Sequence, residues 1–510
     1  MKFKMAKRVL ALILCTAMVG TALAGCQKKA PENKGAGTVS GETKSGESVE
    51  LVWYQIGDPQ VDMEKVVQKV NEYTKDKIGV TIKINQIGWG DYNKKMQVLI
   101  NTGEVFDLMF TCSWANDYVV NAQKGAFLAL DDLLPKYGKD MLKNIDPRFW
   151  QAAKVGGVTY AIPNEKEIGS MPMWVFTKEY VDKYKIPYKT IKTTEDLEPW
   201  LKLIKEKEPD VIPFYLTKDF SAPTYMDKVQ DPIGIEYDCD PKHLVVKNVF
   251  ETQKMQSTLK TIRKYFQAGY INKDAATASD DKNVKRFATK GDGQPYAELI
   301  WSKDLGYDVV STPIMDTVVT NASARGAMTG VSRTSKHPEK AVEFLNLVNS
   351  DEYLRNLLNY GIEGVQYNKV KPTAEEVKKA EGKPHVYADK IHLIEENRKN
   401  YSVPYWVQGG LFNTYVTDKE PLDKWAEFEA FNKASVTAPS FGFDFNTEPV
   451  ATQIAGFRGI LDEFGAALYT GSVDPDEVTP KLIKKLEATG VNDVIAEMQK
   501  QIDEWQKSKK

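Results

Sequence analysis

The sequence predicts a protein of the α/β class that is large enough for several globular units. From residue 49 onward, short apolar segments with strand character alternate with amphipathic helical segments, an order typical of a mostly parallel sheet covered by helices. The 510 residues leave room for two to four domains of about 100 to 200 residues each. Hydrophobic residues make up 42% of the chain and charged residues 27%, an ordinary globular composition that can build a large core.

The charge balance and the apolar pattern each exclude one class of protein. Lysine and arginine number 68 and aspartate and glutamate 70, which gives a formal net charge of −2. Because no excess of basic groups is available to neutralise phosphates, nucleic acid is not expected as a partner. After the first 25 residues no apolar run is long enough to span a membrane, so a polytopic membrane protein is not expected either.

Residues 1–25 have the pattern of a secretory signal peptide. A basic stretch ends at Arg8, and the run from Val9 to Leu23 that follows is apolar and carries no charge. This run leads into Leu23-Ala24-Gly25-Cys26, which resembles the lipobox of bacterial lipoproteins. The resemblance implies cleavage before Cys26 and lipid attachment to its thiol, which would hold the mature protein at the extracellular face of the bacterial cell membrane. A plain signal peptide followed by a chance cysteine is the alternative.

The first elements of the body can be assigned in chain order. Residues 26–48 are rich in Gly, Ser, Thr, Lys and Glu and are expected to form a flexible tether. β-Branched and aromatic residues then predict three strands, at Val49–Tyr54, Val80–Ile84 and Val105–Phe110. A helix is predicted in each interval between them, because apolar residues recur there at helical spacing: Val66, Val67, Val70 and Tyr73, then Tyr92, Met96, Leu99 and Ile100.

Three later segments extend this order. A helix start is predicted at Leu130-Asp131, a turn at Tyr160–Pro163, and a longer helix from Pro338. Pro338 suits the first helical position, where a backbone N–H has no partner to lose, and the acidic Glu339 suits the positive end of the helix. An apolar stripe follows on one face of this helix: Ala341, Phe344, Leu345 and Val348.

Together these segments resemble the family 1 extracellular solute-binding lipoproteins of ABC importers. The resemblance is carried by the lipobox, the first strand and four further segments in chain order: Phe106-Asp107, Leu130-Asp131, Tyr160–Pro163 and Ser335–Leu345. A subgroup with an extra C-terminal domain of unassigned function is similar to this chain in three more segments: Tyr360–Gly364, Phe441–Phe443 and a final helix through Gln501–Trp505. The resemblance therefore covers nearly the whole chain after the signal peptide.

This resemblance implies a two-lobed, periplasmic-binding-protein-like fold of the type II class, with hinge crossings and a mostly helical C-terminal extension. Lobe 1 is expected to comprise residues 49–164 and 302–350. Lobe 2 is expected to comprise residues 165–301 and 351–510, the last of these including the C-terminal extension. The ligand is expected between the lobes, where the carboxyl ends of the strands open into a cleft. A monomer is expected.

The resemblance also implies the function of a substrate-binding lipoprotein. Members of the subgroup usually accompany sugar-importing permeases, so the expected ligand is a carbohydrate, in particular an oligosaccharide, delivered to the membrane subunits of an ABC permease. No cofactor is expected, since ATP is hydrolysed by separate subunits. A binding lipoprotein for a non-sugar cargo such as a peptide is one alternative. A secreted glycoside hydrolase is another, because two carboxylates across a cleft can perform that chemistry.

Sequence motifs for catalysis and metal binding are absent. The sequence contains no GxSxG, HExxH or P-loop motif, and its four histidines show no metal-ligand spacing. Cys112 and Cys239 form no CxxC pair, which argues against structural zinc, and the pattern leaves open whether they form a disulfide. Asp280-Asp281 lacks the alternating oxygen ligands of a calcium loop. The chain is therefore expected to be neither an enzyme nor a metal-binding protein.

Aromatic residues at strand ends are the first candidate ligand contacts. Sugars present apolar C–H faces and a rim of hydroxyls, so receptors stack aromatic rings on them and satisfy the hydroxyls with amides and carboxylates. Trp89 lies between two glycines after the second strand, and Trp114 follows the third strand. Trp53 and Gln55 lie near the end of the first strand. Each tryptophan could instead be a core residue, which is the more common position for this side chain.

Four further candidates lie at the expected crossings and in a late loop. Glu165 follows the Tyr160–Pro163 turn at the first crossing, and Trp301 lies at the return crossing. Trp406 and Gln408 belong to a loop, residues 405–410, that mixes aromatic residues, an amide and two glycines. With the strand-end residues, they form the predicted ligand site.

Overall fold

The computed structural model describes residues 48–509 of the chain. The expected signal peptide, the expected lipid anchor Cys26 and all of the expected tether except Ser48 lie outside the described residues. Within 48–509, no helix combines the length and the apolar character that a membrane span requires.

Strands and helices alternate through the first part of the described chain, and helices dominate the last part. The strands are β1 Val49–Ile56, β2 Val80–Ile87, β3 Leu108–Thr111, β4 Lys154–Val155, β5 Val158–Thr159, β6 Ala161–Pro163, β7 Met171–Thr177, β8 Ile212–Phe214, β9 Met226–Gln230, β10 Ile233–Glu236, β11 Val246–Asn248, β12 Arg286–Gly293, β13 Val309–Pro313, β14 Val318–Val319, β15 Met328–Val331, β16 Tyr367–Val370, β17 Lys390–Leu393 and β18 Val436–Thr437. The α-helices are α1 Met63–Ile78, α2 Tyr92–Thr102, α3 Tyr118–Gln123, α4 Leu134–Tyr137, α5 Lys139–Asn144, α6 Pro147–Ala152, α7 Lys178–Tyr184, α8 Glu198–Lys207, α9 Gln253–Gln267, α10 Ala297–Leu305, α11 Asn321–Ala324, α12 Pro338–Ser350, α13 Glu352–Tyr360, α14 Ala374–Ala380, α15 Glu395–Arg398, α16 Lys424–Ala434, α17 Ala451–Tyr469, α18 Pro475–Thr489 and α19 Val491–Ser508.

The first sheet has five strands in the order β2-β1-β3-β15-β6. β1 runs parallel to β2 and β3, whereas β15 is antiparallel to β3 and β6. Because side chains alternate along a strand, β1 contributes to two apolar clusters. Trp53 packs in one cluster with residues of α1 and α12, and Ile56 packs in the other with Tyr92 and Phe110. The sheet is therefore covered on both faces, which gives the expected α/β architecture of lobe 1.

The second sheet has four strands in the order β13-β7-β12-β8 and forms the centre of lobe 2. β7 is antiparallel to both β12 and β13, and β12 is parallel to β8. Its core includes Trp174 and Phe214 together with side chains from the last three helices, among them Leu482 and Met498. The prediction of a mostly helical C-terminal extension is confirmed, and this extension shares the apolar core of lobe 2.

The chain crosses between the lobes at three places that lie side by side, near residues 164–170, 314–327 and 432–450. β14 of the second crossing pairs in parallel with β18 of the third. Asn432 joins the third crossing to the first, because its side chain accepts from the backbone N–H of Ile168 at 2.9 Å and donates to the carbonyl of Lys166 at 2.8 Å. These contacts hold the three crossings as one hinge.

Two segments lie in the other lobe from the one expected. β13 pairs with β7, so the chain returns to lobe 1 only after Pro313 and not at residue 302. The stretch from α13 to the loop that carries Trp406 was expected in lobe 2, yet Leu354, Leu358, Tyr401 and Val403 pack in the lobe 1 core with Trp53, and Val407 packs with Ile56 on the other face of the same sheet. Strand pairing and helix packing depend on long-range contacts, which the local sequence pattern does not contain.

Candidate ligand-binding site

Three tryptophans from separate parts of the chain meet on lobe 1. The ring centroids are 6.2 Å apart between Trp89 and Trp114, 5.9 Å between Trp89 and Trp406, and 5.5 Å between Trp114 and Trp406. Trp89 is 45% exposed and Trp114 50% exposed, while Trp406 is half-buried. This group, here called the tryptophan cluster, presents indole surface to solvent on a buried aromatic support.

Strand ends place two members of the tryptophan cluster. Trp89 follows β2 in the short loop before α2, and Trp114 follows β3. These ends are neighbours because β2 and β3 both run parallel to β1, and such ends are where open sheets bind ligands. The indole N–H of Trp114 donates to the carbonyl of Gly326 at 2.9 Å, which fixes the ring orientation.

A loop held by two buried side chains places Trp406. The side-chain amide of Asn164 donates to the carbonyls of Trp406 at 3.0 Å and Val407 at 2.9 Å. The buried guanidinium of Arg355 donates to carbonyls of the same loop: Tyr405, Gly409 and Gly410. The loop is therefore fixed at both ends before any ligand arrives.

Gln55 and Gln408 are brought together, but both are buried. The Nε2 of Gln408 lies 3.4 Å from the Oε1 of Gln55. Among residues 48–509, Gln55 Nε2 and Gln408 Oε1 have no hydrogen-bond partner. Gln408 belongs to the loop that carries Trp406, and both amides face protein and not solvent in this structure.

Glu165 is a buried carboxyl that links three parts of the chain. Its Oε1 accepts from the backbone N–H of Asp146 at 3.0 Å, and its backbone carbonyl accepts from Leu411 at 2.8 Å. Burial raises the pKa of Glu165 from its ordinary value to about 8, and the Asp146 N–H lowers it only in part. The residue lies at the first crossing, as expected from its position in the sequence, and its backbone carbonyl holds the loop that follows Trp406.

Trp53 and Trp301 lie apart from the tryptophan cluster. Trp53 is completely buried and packs edge-on against Phe344 at 5.9 Å, so no face of its ring is open to a ligand. Trp301 belongs to α10, and its ring lies against β12. The ring is so close to Gly293 of that strand that a Cβ added there would be 3.0 Å from it. Both rings fill space next to a sheet in this structure.

Three residues near the tryptophan cluster were not among the predicted site residues. Lys166 and Glu167 form an ion pair of 2.7 Å, and both side chains are largely buried. Lys166 lies next to Gly326, since a Cβ added at Gly326 would be 3.2 Å from the Cε of Lys166. The carbonyl of Gly326 accepts the hydrogen bond that Trp114 donates. Tyr405 is exposed next to Trp406. In the sequence, only their closeness along the chain to Glu165 and Trp406 could have identified these three residues as part of the candidate site.

The described residues offer no metal centre. Within the part of the chain that the structure describes, no group of three or more His, Cys, Asp or Glu side chains could hold a metal ion. The carboxylate of Asp280 pairs with Arg286 at 2.7 Å. Cys112 and Cys239 are both free thiols, which answers the question that the sequence left open.

Two protein families match the chain. The family described as bacterial extracellular solute-binding protein matches residues 57–354. A domain of unknown function (DUF3502) matches residues 439–507, which include α17, α18 and all but the last residue of α19. These matches confirm the resemblance identified in the sequence, including the extra C-terminal domain.

Relatives of known description cover nearly the whole chain. A carbohydrate ABC transporter substrate-binding protein of Streptococcus pneumoniae serotype 4 is 33% identical over 486 residues, which are 93% of this chain and 95% of that protein. The crystal structure of the N-glycan transport solute binding protein NgtS from Streptococcus pneumoniae is 32% identical, with a TM-score of 0.78 over 91% of this chain and 100% of that one.

The crystal structure of NgtS in complex with Man5GlcNAc covers the same shares of both chains, with 33% identity and a TM-score of 0.62. The similarity to these structures confirms the two-lobed fold that the sequence predicts. Both the family match and these relatives extend over more than half of the chain. The chain belongs to the bacterial extracellular solute-binding proteins.

Proposed function

We propose that this protein captures an oligosaccharide between its two lobes and delivers it to the membrane subunits of an ABC permease. The observation that carries the proposal is the tryptophan cluster at the strand ends of lobe 1. The 33% identical relative is described as a carbohydrate-binding component of an ABC transporter, and NgtS has been crystallised with an oligosaccharide. Both descriptions support the same class of ligand.

The chemistry of the tryptophan cluster suits a sugar better than a peptide. The apolar C–H face of a pyranose ring can lie on the exposed rings of Trp89 and Trp114, which removes apolar surface from water on both partners. Lys166 and Glu167 form an ion pair of 2.7 Å beside Gly326, whose carbonyl binds Trp114, and such charged groups are suited to hydrogen-bond the hydroxyl groups of a sugar. No extended strand edge is needed for this mode of binding, whereas peptide receptors commonly use one.

Capture requires no covalent step. The family consists of binding proteins, so the prediction that the chain is not an enzyme is confirmed. A ligand that contacts both lobes favours the closed form only to the extent that it binds that form more tightly. The TM-score to NgtS is 0.78 for the structure described without a glycan and 0.62 for the complex with Man5GlcNAc, so the present structure is more similar to the former.

Location and attachment are part of the proposal. The matched family is extracellular, which supports a position on the outer side of the membrane. The pattern Leu23-Ala24-Gly25-Cys26 supports lipid attachment at Cys26 after removal of a signal peptide, with residues 26–48 as the tether. We further propose that the protein acts as a monomer, since its two lobes enclose a ligand without a second subunit.

Calorimetric titration of the purified protein with Man5GlcNAc tests the proposal. Wild type is expected to bind with a saturable signal, and Trp89→Ala and Trp114→Ala are each expected to weaken binding about tenfold or more, which corresponds to about 1.4 kcal/mol. Tyr353→Ala is the matched control, because Tyr353 is also an aromatic residue at 50% exposure but lies on α13, away from the tryptophan cluster.

Two results would contradict the proposed function. One is the absence of a saturable signal with this glycan and with other oligosaccharides. The other is recovery of a bound glycan with a changed mass, which mass spectrometry would detect and which would indicate hydrolysis. Saturable binding of a peptide in place of a sugar would favour the alternative cargo.

A further inference from the structure

A cavity of about 1110 Å³ opens behind the crossings, on the side away from the ligand cleft. Its wall contains Gln151 of α6 in lobe 1, Trp505 of α19 in lobe 2 and Val436 of the third crossing. The space between the lobes is lined by other residues, among them Glu167 of the first crossing and Tyr405 beside the tryptophan cluster. Among residues 48–509, no residue lines both spaces, so the crossings separate them. The space behind the crossings is called the hinge cavity here.

The helix α19 fixes part of the third crossing to lobe 2. The indole N–H of Trp505 donates to the carbonyl of Gly442 at 3.1 Å, and the indole ring packs on Phe443 with the ring centroids 5.6 Å apart. About one turn earlier on α19, the side chain of Gln501 accepts from the backbone N–H of Asn446 at 2.9 Å and donates to its carbonyl at 3.0 Å. Residues 442–446, here called the clamped segment, therefore follow the position of α19.

The second crossing and lobe 1 hold the clamped segment from the other side. The side chain of Asn321 accepts from the N–H of Gly442 at 2.8 Å and donates to the carbonyl of the next residue at 2.5 Å. The buried guanidinium of Arg325 binds both carboxylate oxygens of Asp444. The same guanidinium donates to the carbonyl of Ala152 in lobe 1 at 2.6 Å. A continuous set of contacts thus runs from lobe 1 through the clamped segment to α19.

Lobe 1 and α19 both approach the clamped segment at Gly442. A Cβ added at Gly442 would be 3.3 Å from the Nε2 of Gln151 and 3.9 Å from the ring of Trp505. The backbone of Gly442 is in the left-handed region at φ 88°, which glycine adopts without strain. Because Gln151 and Trp505 also line the hinge cavity, this three-layer contact lies behind the hinge.

Contacts that join two lobes behind a hinge oppose closure in front of it. When the lobes rotate toward each other across the cleft, the parts of the lobes behind the crossings move apart. The contacts of the clamped segment are present in a structure that is more similar to NgtS without a glycan than to NgtS with one. A contact that stabilises one form more than the other shifts the equilibrium by that difference in free energy.

We propose that the C-terminal domain sets the balance between the open and closed forms, because α19 holds the clamped segment in the position that favours the open form. This role goes beyond ligand capture and gives a function to the matched domain at residues 439–507, which begins next to the clamped segment and ends on α19. The apparent affinity for a ligand is reduced in proportion to the fraction of protein in the binding-competent form. Weaker contacts between α19 and the clamped segment therefore make ligand binding tighter.

Single-molecule fluorescence energy transfer without any glycan tests the balance directly. Dyes are attached at Gln97→Cys of lobe 1 and Lys303→Cys of lobe 2, two exposed positions beside the space between the lobes, in a Cys239→Ser background. Trp505→Ala is expected to increase the population with high transfer, which is the closed form. Gln501→Ala is expected to shift it in the same direction by a smaller amount, and Gln501 is partly exposed, so the fold is expected to tolerate this change.

Calorimetry with Man5GlcNAc gives a second readout. Trp505→Ala is expected to bind this glycan several-fold more tightly than wild type, whereas a general loss of structure would weaken binding. Leu482→Ala is the matched control, because Leu482 is a buried core residue of the same domain on α18, which packs against α9 and α17. This control is expected to unfold at lower urea concentration and to change neither the energy transfer nor the affinity.

The outcomes distinguish this role from the proposed function. Unchanged energy transfer in both α19 variants, together with unchanged or weaker glycan binding, would overturn the role of the C-terminal domain. An equal shift in Leu482→Ala would also overturn it, since general loosening of lobe 2 would then be the cause. Failure of wild type to bind Man5GlcNAc would count against the proposed function, while the energy transfer measured without glycan would still decide the role of α19.

Discussion

At the scale of single residues, Glu165 carries an unusual charge state for a carboxyl. Its side chain is buried at the first crossing, and desolvation is the main reason that its pKa rises to about 8. The negative charges of Asp146 and Glu429 raise the pKa further, whereas the backbone N–H of Asp146 and the charge of Lys433 lower it. The folded protein therefore holds a proton on Glu165 near neutral pH.

This proton makes stability depend on pH in a defined direction. Between pH 4.5 and about 8 the folded state keeps a proton that the unfolded chain releases, so the contribution of Glu165 to the free energy of unfolding falls as pH rises across that interval. Urea denaturation at pH 5 and pH 8 is expected to show a decrease in wild type that exceeds the decrease in Glu165→Gln by at least about 1.4 kcal/mol, the value of one pKa unit. Equal decreases in the two proteins would show that Glu165 titrates normally.

The exposed residues of the candidate site could be predicted from the sequence where position along a strand determines exposure. Trp89 and Trp114 were identified because each follows a strand, and both are exposed in the structure. Trp53 lies within β1 near its end and is buried because helices cover both faces of the sheet, and the sequence could not establish that α1 and α12 pack over its face.

Residues that act through distant partners could not be found in the sequence. Arg355 binds carbonyls about fifty residues later in the chain, so nothing in its own neighbourhood on α13 points to that role. Burial lowers the pKa of Arg355 to about 10, and among the described residues its Nη1 has no hydrogen-bond partner. Such a side chain is recognisable only once the loop of Trp406 is folded against it.

At the scale of elements, local signals predict where helices begin and strands occur, but not which elements pair. α12 begins at Pro338, as the sequence indicates, and extends to Ser350. The strand expected from Val105 begins only at Leu108, because Gly103 ends α2 in the left-handed region at φ 68° and the chain needs several residues to enter the sheet. Val105 is exposed in that connection.

A buried amide joins the third crossing to the first. Asn432 is 1% exposed and joins the carbonyl of Lys166 to the N–H of Ile168, so its removal leaves two backbone groups of the first crossing without these partners. Asn432→Ala is expected to lower the free energy of unfolding by about 2 to 4 kcal/mol, since each unsatisfied buried group costs about 1 to 3 kcal/mol. Urea denaturation measures the change.

Asn283→Ala is the control for this experiment. Asn283 is exposed, and its side chain contacts only Asp281 two residues away, so the expected change is within about 0.5 kcal/mol. A loss in Asn432→Ala no larger than that in the control would indicate that the crossings are held by β14 and β18 alone.

At the scale of the whole molecule, the C-terminal helices belong to lobe 2 and not to a separate body. Val491, Met498 and Ile502 of α19 are fully buried in the same core as Phe214 of β8. The guanidinium of Arg325 in the second crossing binds the carbonyl of Ala152 in lobe 1 and both carboxylate oxygens of Asp444, just before these helices. The C-terminal domain therefore moves with lobe 2, while its first residues are tied to lobe 1 at the hinge.

Closure of the two lobes is the motion that this arrangement allows, and it can be measured without knowing the bound geometry. A ligand can convert a population from 1% to 99% closed only if it binds the closed form about 10⁴-fold more tightly, so contacts from both lobes are required. Small-angle X-ray scattering is expected to show a smaller radius of gyration at saturating Man5GlcNAc than without it. A radius of gyration that saturating glycan leaves unchanged in wild type would mean that the ligand is held by lobe 1 alone, since binding would then gain nothing from closure.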